Sequence, residues 1–444
     1  MSSIPARIVA DIRRRLESGA LGPGDRLPSS RALADQLRVS RGSIVTAYEQ
    51  LAGEGILLTS RGGTRIHPDL ALRSSVLSPP DAAPRARVRD APTMLRPGAP
   101  LEAVTSSAWR AAWRAAAAEP HAYPSPGSPR LRHLLAEHFR LSRAMSIAPE
   151  AILITAGARD GLRATLTALT TTRARLAVED PGFASLCAVP ESVGWQTVMA
   201  KTDGAGMSLN ILQKIAPTAA LVTPNHQFPY GAQMPAERRR NLVEWRHSTP
   251  GAFLIEDDYD SELRAAHPAL VALDPTGTVL LGSFAKTLTP ALGLGYVIVP
   301  ESLRADVAKH LMPVSGIAQD ALAHFLAADG LRRHTARMRR EYTYRRGVFE
   351  RIFPDGFAMD GGLGAIIELS ADAEAHVLAH ARAHRLAVES LAKYWSTGDG
   401  RSGVVVGLGG GSREKLVGAL EVLRKLIPLS AGGIDQTVRT SISP

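Results

Sequence analysis

The chain has 444 residues, 45% of them hydrophobic and 21% charged, a soluble, globular balance that predicts two or three folded units rather than one. The longest apolar runs, such as Gly293 to Pro300, fall far short of the ~20 residues that span a bilayer, MSSIPARIVADIRRRLESG lacks an apolar stretch followed by a small-residue cleavage site, and Cys187 is the single cysteine; no membrane segment and a cytoplasmic location are expected. The net charge of +10 suits a polyanionic partner such as nucleic acid, although arginine-rich codon usage accounts for part of it, since no lysine precedes Lys201.

Residues 1–67 read as a compact unit. Ile8, Ile12 and Leu16 recur at helical spacing from Pro5 to about Ser18, and Gly19, Gly22, Pro23 and Gly24 break that helix. Pro28-Ser29-Ser30 supplies a proline and capping hydroxyls for a second helix holding Leu33, Ala34 and Leu37. Ser40 is the expected N-cap of a third, with Ile44, Ala47, Tyr48 and Leu51 on its inner side. Two strand-like runs, Ile56 to Thr59 and Thr64 to His67, flank a turn at Gly62-Gly63.

Residues 68–92 turn to proline, alanine, serine and arginine without periodicity and read as a flexible linker. From residue 93 to 430, apolar strands alternate with helices (Ala151 to Thr155, Leu176 to Glu179, Ala219 to Thr223, Ala252 to Asp257, Val279 to Gly282, Tyr296 to Val299), which predicts an α/β domain with a mostly parallel sheet covered on both faces. A smaller α+β subdomain is expected beyond about Arg332, and residues 431–444 read as a disordered tail.

Three short helices followed by a two-strand wing make a helix-turn-helix variant whose third helix is suited to a major groove. Ser40, Arg41, Ser43 and Thr46 fall on its outward side, where hydroxyl and guanidinium groups suit phosphates and base edges. Arg26 and Arg31 flank the second helix, and Arg61, Gly62 and Gly63 would let the wing approach a phosphate or a minor groove. A solvated arginine face on an interaction module is the competing reading. The run GDRLPSSRALADQLRVSRGSIVTAYEQLAGEGIL, Gly24 to Leu57, followed by RGGTRI, resembles the GntR family of winged-helix regulators. That resemblance implies backbone contact by Arg31, groove contacts by Ser40, Arg41 and Ser43, and approach to the duplex edge by the turn at Gly62 and Gly63.

In the second part, Lys286 follows a strand within Gly282-Ser283-Phe284-Ala285-Lys286-Thr287, where a turn would present its amine at the sheet edge. Ser283, three residues before it, can donate to a phosphate. Asp257 ends an apolar strand inside EDDYDSE, and Tyr259 lies two residues on. Thr155-Ala156-Gly157-Ala158-Arg159 opens a helix after a strand, aiming the N–H groups of Gly157, Ala158 and Arg159 at an anion. Phe183 sits on the tight turn of EDPGF, either stacked on a ring or within the core. Together these offer the amine, the pyridine-nitrogen anion, the phenolate donor, the flat partner and the phosphate cradle that pyridoxal phosphate requires. The five acids of EDDYDSE could instead bind a metal, but the lysine motif favours pyridoxal phosphate and no metal is expected.

The order GAR, EDPGF, NHQFPYG, EDDYDSE, GSFAKT and LGY is similar to the large domain of fold-type I aminotransferases, and the whole chain resembles the MocR subfamily, in which a GntR-type domain is fused to that fold. The resemblance implies that Lys286 forms the imine with the cofactor, Asp257 meets the pyridine nitrogen, Tyr259 the phenolate oxygen and Ser283 the phosphate. It also implies that Tyr123 reaches the phosphate across a dimer interface, that His226 and Gln227 line the ring edge, and that the protein is a head-to-tail homodimer whose two winged helices fit paired operator half-sites on double-stranded DNA. Two departures stand out. Gly293 replaces an arginine usual before Leu-Gly-Tyr, so Arg159 is expected to take over at the phosphate. Val405 stands near the place of the arginine that grips an amino-acid α-carboxylate, with Arg401 as a substitute. The preferred function is a regulator sensing an amine-bearing effector or the cofactor itself. The alternatives are an active aminotransferase with an accessory DNA-binding domain, and a DNA-binding protein carrying an empty scaffold.

Overall fold

The computed structural model describes residues 3–60, 63–70, 94–101, 106–170, 174–264, 268–359, 363–396 and 401–428. Two compact units divide the chain, Met1–Val88 and Arg89–Pro444. Most of the expected linker, from residue 71 on, and the whole expected tail lie outside the described residues.

In the first unit, α1 (Ile4–Glu17) buries Ile8, Val9, Ile12 and Leu16. Ser29 starts α2 (Ser30–Leu37), its Oγ accepting the Ala32 N–H at 3.2 Å. Ser40 starts α3 (Arg41–Gly53) in the same way, accepting the Ser43 N–H at 3.2 Å. Each hydroxyl satisfies a donor that the first helical turn leaves open. Ile44, Ala47, Tyr48 and Leu51 face inward as expected, and the Tyr48 hydroxyl donates to the Pro28 carbonyl at 2.9 Å. Leu33, Ala34 and Leu37 lie in α2 as expected, with Leu37 48% exposed at its end, where the chain takes the left-handed conformation at Arg38 (φ 52). Strands β1 (Leu57–Ser60) and β2 (Gly63–Ile66) pair antiparallel, Leu57 opposite Ile66 and Ser60 opposite Gly63. Gly63 has φ 109, a conformation side-chain-bearing residues avoid.

The second unit is built on an eight-stranded sheet. Its strands are β3 (Ile152–Thr155), β4 (Arg175–Asp180), β5 (Gln196–Asp203), β6 (Gly206–Met207), β7 (Ala219–Val222), β8 (Phe253–Asp258), β9 (Thr278–Ser283) and β10 (Gly295–Ile298), in the order β3-β10-β9-β8-β7-β4-β5-β6. The run from β5 to β9 is parallel, whereas β10 is antiparallel to both neighbours and β6 to β5. The longer helices are α4 (Ser107–Ala118), α5 (Pro129–Arg143), α6 (Ala158–Ala168), α7 (Ala236–Ser248), α8 (Glu301–His310), α9 (Gly316–Ala327), α10 (Gly330–Ile352), α11 (Ala371–Ala381) and α12 (Arg413–Leu426).

Alternate residues of one strand enter different cores, as the pleat requires. Ile152 and Ile154 pack with Trp109 of α4, Phe139 of α5 and Phe325 of α9. Leu153 packs on the opposite face with Leu162 of α6 and Val307 of α8. Both faces being covered explains why these strands read as unbroken apolar runs. Truncating fully buried Leu153 to alanine would cost ~2–5 kcal/mol. A four-stranded antiparallel sheet, β11 (Phe357–Ala358), β12 (Gly364–Glu368), β13 (Glu389–Ser390) and β14 (Gly403–Gly407), in the order β11-β12-β14-β13, forms the smaller subdomain. Its core takes in Phe349 of α10, Val377 of α11 and Leu420 of α12. No helix among the described residues is long and apolar enough to cross a membrane.

Candidate cofactor cavity and nucleic-acid interface

The carboxyl ends of β3, β4, β8 and β9 lie at one edge of the large sheet, where open α/β sheets bind ligands. A cavity of about 530 Å³ opens there, bordered by Gly157, Ala158, Arg159, Phe183, Asp257, Tyr259, Ser283 and Lys286. Eight residues spread over 130 positions of sequence thus meet in one space, each delivered by the end of a strand or the start of α6.

Lys286 Nζ donates to the Gly98 carbonyl at 2.6 Å. Burial pulls the amine below its ordinary pKa, opposed by Asp260 and Asp257, which favours the neutral, nucleophilic form. Asp257 is 4% exposed and its Oδ1 is buried without a hydrogen-bond partner. Burial first, then Asp258, Asp260 and Glu179, pushes its carboxyl up to about 8, with Lys286 opposing. The other acids of the segment are occupied: Glu256 accepts the Leu270 N–H at 2.7 Å, Asp258 pairs with Arg143, Asp260 with Arg264 and His226, and Glu262 with His138. Tyr259 donates its hydroxyl to the His226 carbonyl at 2.9 Å, and burial holds its phenol well above the ordinary range.

At the cavity's anion end, Gly157 has φ 95 and open space where a Cβ would stand, and it leads into the first turn of α6, whose N–H groups have no helical acceptor. Arg159 Nη1 reaches Ser185 Oγ at 3.0 Å, and both side chains border the cavity. The Ser283 hydroxyl accepts the Ala285 N–H at 3.1 Å. Phe183 is 42% exposed and meets Phe228 edge-on at 5.6 Å. Its turn is fastened to the small subdomain: Gly182 N–H donates to the Tyr394 carbonyl at 3.1 Å, and Asp180 accepts from Ser396 N–H at 2.9 Å and Ser396 Oγ at 2.5 Å.

Three expected residues do not border this cavity. His226 lies behind Tyr259, stacked on its ring at 5.6 Å and bonded to Asp260. Gln227 turns its amide to the Pro181 and Phe228 carbonyls at 2.6 and 2.8 Å. Neither borders the cavity: His226 packs against Tyr259 with Nδ1 on Asp260 and Nε2 buried without a partner, and the Gln227 amide is taken up by backbone carbonyls. Tyr123 donates to Asp320 Oδ1 at 2.7 Å and borders a separate cavity of about 100 Å³. Gly293 and Val405 do border the main cavity, so no cation stands at either place. Arg401 does not replace one: Glu368 holds it at 2.9 Å, with its guanidinium 5.8 Å from the Tyr230 ring centre. Sequence reasoning missed Gly98, 188 residues from Lys286, and the small-subdomain wall of Met359, Leu363, Glu389, Lys393 and Tyr394; no local motif marks any of them.

In the first unit, Arg31, Ser40, Arg41, Thr46 and Gly63 are exposed and Ser43 is half-buried. Ser40 and Ser43 lie with their hydroxyls 2.9 Å apart at the start of α3, beside Arg41. Arg61 and Gly62 lie outside the described residues.

A winged helix-turn-helix and a fold-type I aminotransferase domain in one chain define a DNA-binding transcription regulator with a pyridoxal-phosphate type of second domain. Residues 5–66 match the family described as bacterial regulatory proteins, gntR family, and residues 94–409 match aminotransferase class I and II. The HTH-type pyridoxine biosynthesis transcriptional regulator PdxR of Corynebacterium glutamicum is 42% identical over 434 residues, 94% of each chain. The probable rhizopine catabolism regulatory protein MocR of Rhizobium meliloti is 33% identical over 371 residues, 76% of this chain and 74% of that one. The α-aminoadipate aminotransferase LysN of Thermus thermophilus, solved with N-(5'-phosphopyridoxyl)-L-leucine, superposes with a TM-score of 0.67 at 20% identity, covering 75% of this chain and 91% of that one. The chain belongs to the GntR family of bacterial regulatory proteins, in its MocR-type branch with an aminotransferase class I and II domain. The cofactor this membership implies is pyridoxal phosphate, and the residues fit it: the orphaned, buried Asp257 Oδ1 is the acceptor a protonated pyridine nitrogen needs.

Proposed function

We propose that this regulator holds pyridoxal phosphate at Lys286 and responds to an amine-bearing effector, or to the cofactor itself, by changing how two DNA-binding units of a dimer are presented to paired half-sites. The carrying observation is the meeting of Lys286, Asp257, Tyr259, Ser283 and the start of α6 around one cavity that carries no cation at Gly293 or Val405. Bound pyridoxal phosphate supplies an aldehyde that condenses with amines and a ring that draws electrons from them. Lys286 provides the amine that anchors it. Asp257 accepts from the pyridine nitrogen, Tyr259, turning its one O–H away from the His226 carbonyl, donates to the phenolate oxygen, and Phe183 covers the ring. Ser283, Arg159 and the N–H groups of Gly157 and Ala158 hold the phosphate. Tyr123, outside its own cavity, is suited to reach a partner's phosphate in a head-to-tail homodimer.

An ordinary amino-acid aminotransferase reading is disfavoured by Val405, since a bidentate guanidinium clamp on the substrate carboxylate is hard to replace. Ser40, Arg41, Ser43 and Thr46 read the major groove, and Arg31 with the wing residues Arg61, Gly62 and Gly63 contacts backbone. A cytoplasmic location follows from DNA as the partner.

The test is borohydride reduction of the purified protein with pyridoxal phosphate, read by intact mass and visible absorption. Wild type is expected to retain the cofactor covalently and Lys286→Ala to lose both signals. Equal retention by the two proteins would remove Lys286 from its role.

A further inference from the structure

A second space of about 20 Å³ adjoins the main cavity, sharing Phe183, Leu186, Phe228 and Asp257 with it and bordered also by Glu179 and Thr223. Asp257 borders both spaces; Glu179 borders only the smaller one. Glu179 Oε1, like Asp257 Oδ1, is buried and has no hydrogen-bond partner. A buried carboxyl oxygen without a partner is costly, and a space of this size takes one water, which needs about 10–15 Å³ and two or more polar partners.

We infer that Glu179 and Asp257 share one proton through a single buried water, so that Glu179, without touching the cofactor cavity, sets the charge Asp257 presents to a pyridine nitrogen. The coupling to the cofactor rests on the role proposed above for Asp257; the shared proton does not.

A Cβ on Gly206 would stand 3.9 Å from Glu179 Oε1 and 2.9 Å from the Met234 methyl, so the orphaned oxygen has apolar neighbours on that side. Around Glu179, Thr223 donates its hydroxyl to Oε2, Cys187 and Asp257 border the same space, and Asp180 follows it in β4. Among the described residues, only the hydrogen bonds from Thr223 oppose the burial of Glu179. Asp257 faces Asp258, Asp260 and Glu179, with Lys286 as the opposing charge. Two ionised carboxylates side by side in this setting would repel, as in other paired acids. Burial accordingly pushes Glu179 up to about 7. With Asp257 ionised, the shared proton resides on Glu179, whose O–H hydrogen-bonds to the water, and the water in turn hydrogen-bonds to the Asp257 carboxylate. Nothing is oxidised or reduced.

The test uses the full chain and Glu179→Gln, which keeps shape and removes the ionisable group. Without cofactor, both proteins are melted from pH 4.5 to 8. A buried acid with a raised pKa loses stability as pH climbs from its ordinary value to its raised one and loses no more above it, so the variant's Tm advantage is expected to widen up to about pH 7 by roughly 2–4 °C and then stay level. A gap independent of pH overturns the shared proton. With pyridoxal phosphate labelled with ¹⁵N in the ring, the nitrogen is expected to lose its proton at lower pH in Glu179→Gln than in wild type; equal titration overturns the coupling. Failure of wild type to take up the cofactor would instead overturn the role of Asp257, while the melts still decide the proton. Should the variant not fold, a crystal structure of wild type decides: density for one water within hydrogen-bond distance of both carboxyls supports the inference, and an empty space overturns it.

Discussion

Asp257→Asn is expected to move stability and cofactor affinity in opposite directions. In the cofactor-free protein the carboxyl is pushed up to about 8 from an ordinary 3.8. Its folded-state pKa is thus above the unfolded one, so the penalty is absent below about pH 4, grows as pH rises, and levels off above about 8. At pH 7 the group stands about three pH units above its ordinary value, and 1.36 kcal/mol per unit gives about 4 kcal/mol as an upper bound in so crowded an acidic cluster. The neutral amide escapes this penalty but leaves its own polar atoms short of partners, at ~1–3 kcal/mol. The net gain is about 1–3 kcal/mol, a rise in Tm of a few degrees at pH 7 that shrinks toward pH 4. With pyridoxal phosphate the same substitution removes a charged hydrogen bond worth ~1.5–3 kcal/mol, or roughly tenfold to a hundredfold in affinity. Thermal melts from pH 4 to 8 and a fluorescence titration with the cofactor measure both. A cofactor-free variant less stable than wild type at pH 7, or one with unchanged affinity, would refute the reasoning.

Arg159→Ala is expected to weaken pyridoxal-phosphate binding roughly tenfold to a hundredfold, the worth of one charge-assisted hydrogen bond, in the same titration; unchanged affinity would clear it of the phosphate. Gly98→Ala places a Cβ 2.6 Å from Lys286 Nζ on a residue with φ 69, so the amine must move, and borohydride trapping of the cofactor should be slower than in wild type. Arg41→Ala should cost roughly tenfold to a hundredfold in operator affinity by gel shift without altering cofactor absorbance. Ser40→Ala removes the cap on Ser43 N–H and should lower the stability of the first unit by ~1 kcal/mol, read by circular dichroism during denaturant unfolding.

What could be read from the sequence were features whose causes are local. The caps at Ser29 and Ser40, the inner face of α3 and the strand ends carrying Asp257 and Ser283 all follow from spacing and residue type over a few positions. Strand direction was less accessible: the apolar run Tyr296 to Val299 looks like its parallel neighbours, yet β10 runs against both. His226 and Gln227 belong to a recognisable motif, but Asp260 and the Pro181 carbonyl decide where their polar atoms point. The Gly98 carbonyl beside Lys286 and the wall contributed by the small subdomain depend on contacts closed over long stretches of chain, which leave no mark at either end.

The fastening of the Phe183 turn bears on how the protein can register what occupies its cavity. The side chain suited to lie over a bound ring is carried by a turn whose neighbours Asp180 and Gly182 are tied to Ser396 and Tyr394. A ligand that pushes Phe183 aside works against hydrogen bonds of two subdomains at once, and one that pulls it inward draws the segment around Tyr394 along. These hydrogen bonds, with the Phe228–Tyr394 and Tyr230–Trp395 ring contacts beside them, are where a shift of Phe183 would be passed to the small subdomain.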